Sequence, residues 1–261
     1  MNAADLLSLA PVNVFIGFAV FCRVGALFMT APAFGDFSLP ARFRLAAALA
    51  VTLALAPVAA GYYPALASAT SQTTLGPVAA ILFGEIAAGV FLGLTARIFM
   101  AALNVAGQVI AFQIGLSLAQ TFDPTQELQG AIVGGFLTIL ATTMIFATDL
   151  HHLLLAALAD SYTLMAPAAP LLTGDLADTM VRTLSSAFSL GLRLSAPFVV
   201  FGLVFYVGAG VLNRLMPQAQ VFFMLMPANL AIGLMLLMLT TGLVSTVFLT
   251  RFEAHLAQFL R

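Results

Sequence analysis

Residues 78–103 read VAAILFGEIAAGVFLGLTARIFMAAL, a run in which Glu85 and Arg97 are the only charges. Wound as an α-helix at 1.5 Å per residue, such a run is about 39 Å long, enough to cross a hydrocarbon core about 30 Å thick. A strand of a membrane barrel would alternate apolar with polar residues, and this run is continuously apolar. Working outward, five further runs share its character: residues 12–29, 45–60, 131–148, 184–212 and 221–249. Backbone exposed to lipid must satisfy its own hydrogen bonds, which makes each of them a helix. The expected fold is therefore all-α: one polytopic domain over residues 1–261 with about six apolar spans paired as helical hairpins.

The rest of the composition agrees. The chain is 62% hydrophobic and 7% charged, whereas soluble domains carry about 25% charged residues. So few charges cannot cover a water-facing surface, and lipid or other protein has to cover it instead. Nine arginines, no lysine and ten acids leave a net charge of −1, so nothing suggests a nucleic-acid-binding face or a polybasic lipid-binding segment. The single cysteine, Cys22, lies in an apolar run and rules out an internal disulfide or a CxxC motif. Residues 1–10 contain Asp5 and no basic residue, so the first span is expected to stay in the mature protein rather than to be cleaved as a signal peptide.

Orientation is not set by charge. In a six-span arrangement Arg42, Arg44 and Arg214 fall on one side, and Arg182, Arg251 and Arg261 on the other. With three arginines on each side the positive-inside rule favours neither orientation, and the tie points to a final state that simple insertion does not describe.

Four charges sit inside or near the spans: Arg23, Glu85, Arg97 and Arg193. Each costs at least about 2.5–3.5 kcal/mol in hydrocarbon, so each must meet protein, water or a partner. They belong either to an ion or proton pathway or to charge pairs between helices or subunits, with Arg23 and Arg193 the better candidates for inter-helix pairs. Gly89 and Gly93, and Gly130 and Gly134, stand at GxxxG spacing, which lets helix backbones approach closely. Pro197 and Pro227 are expected to bend or break their helices. His151 and His152 follow Asp149, which is placed to cap a short amphipathic helix over residues 150–162. As neighbours they point about 100° apart on a helix, so no metal site is expected.

No GxSxG elbow, HExxH, Walker A or GxGxxG occurs, so neither a catalytic residue nor a cofactor is expected. Residues 104–129 form the longest polar interruption, and 107–124 read GQVIAFQIGLSLAQTFDP. This stretch is neither a good lipid span nor a good soluble helix. It is either a loop entering a pore, since irregular backbone at membrane depth must be buried in protein or line a cavity, or an amphipathic helix at the interface.

Three blocks resemble one family, the flagellar biosynthesis protein FliR and its counterparts in virulence type III secretion: Arg23 to Pro32 followed by residues 39–42, residues 107–124, and residues 212–218. The middle block is similar to the family's GExIGxQMGxSxAxxxDP segment, with Gln108 in place of the usual Glu. The resemblance implies a noncatalytic subunit of an inner-membrane export gate at the flagellar basal body. It further implies FliP-like and FliQ-like neighbours, an FlhB-like switch protein, and unfolded proteins as the cargo. It also implies a pore plug within residues 104–129, carried over to Phe112, Gln113, Ile114, Gly115, Leu116, Ser117, Phe122, Asp123 and Pro124. Residues expected to pack subunits together are Arg23, Gly89, Gly93, Gly130, Gly134, Arg193, Asn213 and Arg214. A virulence injectisome subunit is the near alternative. A solute transporter with broken helices at Pro197 and Pro227 and a working Glu85 is the more distant one.

Overall fold

The computed structural model describes residues 3–35, 40–63, 75–116, 129–167, 169, 173–216 and 221–260. They form helices α1 (Ala3–Thr30), α2 (Ala41–Ala59, running on into a 3₁₀ turn Ala60–Tyr62), α3 (Leu75–Gln113), α4 (Gln129–Ala147), α5 (Leu150–Leu164), α6 (Thr173–Leu215) and α7 (Val221–Ala257). No strand occurs among the described residues. Five helices are long and apolar enough to cross a membrane, and a sixth span results if α4 and α5, bent by 76° at their junction, are taken together. The expected all-helical, multi-span fold is what the chain adopts.

Three expectations need correction. Of the bend or break expected at Pro197 and Pro227, the break does not occur, since both lie inside unbroken helices. Each forfeits one N–H bond, and the ladder on either side carries the helix through. The polar interruption expected from residue 104 starts later, because α3 continues to Gln113. Its Asn and Gln residues interrupt the hydropathy but not the helical period: Leu103, Ala106, Ile110 and Ala111 are buried while Asn104 and Gln108 are exposed. Asp149 stands at the N-cap position of α5 but has left-handed backbone angles, φ 58 and ψ 14, and makes no side-chain capping bond.

The chain divides into two compact units. The first comprises Met1–Arg97, Asp149–Val181 and Glu253–Arg261. Its core is a helical face of α1 (Ala19, Val20, Val24, Leu27, Phe28) with Ala88, Phe91 and Leu92 of α3 and Leu154, Ala157 and Leu158 of α5, all buried. The second comprises Ile98–Thr148 and Arg182–Phe252. There α4 buries Val133, Leu137, Ala141 and Ile145 at intervals of four, and Phe99 packs 6.1 Å from both Phe248 and Phe252. Large apolar side chains are also exposed on the surface. Leu203, Val204 and Val207 of α6 and Met235, Met238 and Leu239 of α7 are all exposed, so lipid or protein has to cover them.

Candidate functional site

Two constructions stand out, one in each unit. In the first unit Arg23 of α1 is 1% exposed and reaches Glu85 of α3, also 1% exposed. Its Nε donates to Oε2 at 2.7 Å and its Nη2 to Oε1 at 3.1 Å. The remaining donors are also used, with Nη1 on Ser161 Oγ at 2.9 Å and Nη2 on the Met165 carbonyl at 2.8 Å. The guanidinium carbon lies 4.0 Å from the centre of the Tyr162 ring, a cation–π contact. One side chain thus ties α1 to α3 and α5, in the forked geometry that suits arginine and not lysine. The Tyr63 hydroxyl is buried beside this pair. Its burial, and then the Glu85 charge, push its ionisation far above the ordinary phenol value, so it stays neutral.

Glycines make that approach possible. Gly89 lies one turn beyond Glu85, where a Cβ would run into the Arg23 carbonyl and Ala26; Gly93, a further turn on, faces Thr30 and Ala31. Both glycines, expected at subunit contacts, are spent on packing α3 against α1 within the chain. Arg23 is likewise internal. The charge-pair alternative for Arg23 and Glu85 is therefore the one realised. Arg193, in contrast, is exposed on α6, as are Asn213 and Arg214 near its end.

In the second unit the end of α3 is held on several sides. Leu116 N–H donates to the Ala111 carbonyl at 2.9 Å and Gly115 N–H to the Phe112 carbonyl at 3.2 Å, with Gly115 at φ 80. This is a Schellman cap, in which glycine takes the left-handed position. Ile114 is fully buried and rests on Gly233 of α7, and the Gln113 side chain occupies the space over Gly202 of α6. Asn229 donates from Nδ2 to the Gln113 carbonyl at 3.3 Å. Phe112 is 63% exposed. Gly115→Ala is expected to cost about 1–2 kcal/mol, the penalty for left-handed backbone with a Cβ, read as a lowered unfolding midpoint in detergent.

Of the segment assigned to the plug, Phe112, Gln113, Ile114, Gly115 and Leu116 are thus placed, while Ser117, Phe122, Asp123 and Pro124 lie outside the described residues. Gly134 packs on Asn104 within the chain. Gly130 lies in α4. Asp149, His151 and His152 bring one ligand atom each to within 4.8 Å of one another, and the two imidazole rings lie 4.2 Å apart. The adjacent histidines therefore converge where their helical offset led us to expect divergence.

Residues 14–255 match the family model described as bacterial export proteins, family 1. The chain belongs to this family. Among the relatives of this export protein, the flagellar biosynthetic protein FliR of Caulobacter vibrioides is 38% identical over 254 residues, covering 95% of this chain and 96% of that one. That of Pectobacterium carotovorum is 34% identical over 227 residues, covering 86% and 83%. That of Escherichia coli is 28% identical over 216 residues, covering 82% and 80%.

Several partners in this site escaped the sequence. Arg23 and Glu85 were visible as charges of opposite sign in two spans, but hydropathy carries no register between helices and could not pair them. Asn229, a lone amide two residues after Pro227 in an apolar run, was the one signal available for the anchor on Gln113. The glycines Gly191, Gly202 and Gly233 belong to no spacing motif and became significant only through what they touch, and Gly107, though part of the family block, gave no sign that it meets Gly134.

Proposed function

We propose that this export protein is a noncatalytic subunit of the flagellar type III protein-export gate, in the bacterial inner membrane at the basal body, required for flagellum assembly. It joins FliP-like and FliQ-like subunits, with an FlhB-like switch protein beside them, and lets unfolded export substrates pass. The observation that carries this reading is likeness along nearly the whole chain to proteins named for flagellar biosynthesis. The same names favour the flagellar machine over an injectisome. Apolar helix faces left exposed in both units supply the surfaces that neighbouring subunits would cover, and Arg193, Asn213 and Arg214 are the polar contacts on offer there.

Residues 112–124 act as the plug. An apolar constriction excludes ions by dewetting and still parts for a polypeptide. The anchored end of α3 supports this reading, because a stopper that gives way needs a fixed root. Removing residues 117–121 leaves Gln113, Ile114 and the Schellman cap in place. The mutant gate is expected to copurify with its partner subunits and to leak small ions, measured as conductance in planar bilayers. An assembled mutant gate as tight as the parent removes the plug assignment. A parent chain that never associates with other export components removes the gate assignment.

A further inference from the structure

The second half of α3 carries a pattern that the plug does not explain. Between Ala96 and Ala111 its polar side chains are Arg97, Asn104 and Gln108. All three are exposed, together with Ala101 between them and Phe112 beyond. At 100° per residue these five positions share one narrow stripe. The flanks of the helix in the second unit are occupied: Gly134 of α4 meets Asn104 and Gly107 on one side, and Gly191 of α6 meets Ala102 and Val105 on the other. What remains open is the stripe.

Uncharged amides facing hydrocarbon go without hydrogen bonds at a cost of several kcal/mol each, so this face meets water or protein. Two observations favour a moving polypeptide over a fixed neighbour. The stripe ends at Phe112, the first residue of the segment assigned to the plug, and so leads towards the same compartment. Asn104 and Gln108 are one turn apart, about 6 Å along the axis, close to the two-residue repeat of an extended chain, about 6.6–6.8 Å.

We propose that Asn104 and Gln108, with Ala101 and Arg97 beyond them, form this chain's wall of the conduit, offering paired amide donors and acceptors to the backbone of an extended polypeptide in transit. Each primary amide both donates and accepts, so it can pair with any peptide unit whatever the side chain. That is the recognition an exporter of many sequences requires. The assignment rests on the gate reading above.

The test uses the assembled complex with Cys22→Ala as parent, since Cys22 is the only cysteine. Single variants Ala101→Cys, Asn104→Cys and Gln108→Cys are compared with Leu203→Cys, which is 66% exposed on an apolar face. A membrane-impermeant cationic thiosulfonate is expected to modify the three stripe cysteines at least tenfold faster than Cys at 203. A stalled export substrate is expected to slow them at least threefold. Stripe cysteines that react in the isolated chain and fall silent in the assembly would make this face a subunit interface and overturn the proposal. Reaction rates indifferent to a stalled substrate overturn it as well. If the parent complex exports normally while the stripe stays silent, only the conduit wall is lost. If the parent never joins an export complex, the gate reading falls and takes this proposal with it.

Discussion

Arg23→Ala is expected to destabilise the first unit by about 3–5 kcal/mol, the range for breaking a buried ion pair from one side. The substitution removes every donor that Glu85 accepts from Arg23, the bonds to Ser161 Oγ and the Met165 carbonyl, and the cation over the Tyr162 ring. A carboxylate 1% exposed is left without its counter-charge. Arg23→Lys retains the charge but not the fork. One ammonium cannot place donors on two carboxylate oxygens, a hydroxyl and a carbonyl lying in these directions, so an intermediate loss is expected. Replacing both partners, Arg23→Leu with Glu85→Leu, should recover most of the stability, because an apolar pair of similar volume often substitutes for a buried ion pair without penalty. The order of unfolding midpoints in detergent should therefore be parent, double variant, lysine variant, alanine variant. An alanine variant that melts with the parent would show that the pair does not hold α1, α3 and α5 together.

The same pair marks the boundary of what the sequence could reveal. Helix existence was legible because membrane spans announce themselves through unbroken hydropathy, and each of the six expected runs coincides with a helix. Helix ends were less so. Residues 104–113 looked like the start of a polar link, yet Asn104 and Gln108 fall on a single stripe and the buried positions keep helical spacing, so α3 continues to Gln113. Hydropathy averages over a window and loses that phase. Glycine spacing was legible only in part. Gly89 and Gly93 do mark a close approach, and the backbone they meet is α1 of the same chain. The sequence states that two backbones can meet there without naming the second backbone. Gly115 was legible as a bend from its neighbours, and its φ of 80 gives the reason. Its value as a helix cap depends on bonds from residues 115 and 116 back to 112 and 111, which no composition rule supplies.

Gly107 and Gly134 make a sharper case, because the two glycines of one contact are expected to tolerate a methyl group very differently. A Cβ on Gly107 would fall on the Cα and N of Gly134, backbone atoms that cannot turn aside. A Cβ on Gly134 would instead meet Asn104, at 3.1 Å from Oδ1 and 3.3 Å from Cα, and an exposed amide side chain can rotate part of that crowding away. Gly107→Ala must therefore push α4 off α3. Its expected cost is about 3 kcal/mol, the upper part of the range for overpacking a close-packed site. Gly134→Ala is expected to cost about 1 kcal/mol, at the lower end of that range. Gly135 provides the control, since a Cβ there meets nothing within 4 Å. Gly135→Ala should gain about 1 kcal/mol from helix propensity alone. Unfolding midpoints of the three variants in detergent should rank Gly135→Ala highest and Gly107→Ala lowest. Equal losses at 107 and 134 would mean that the α3–α4 contact yields as a whole, and a rigid crossing of the two backbones would not be what joins them.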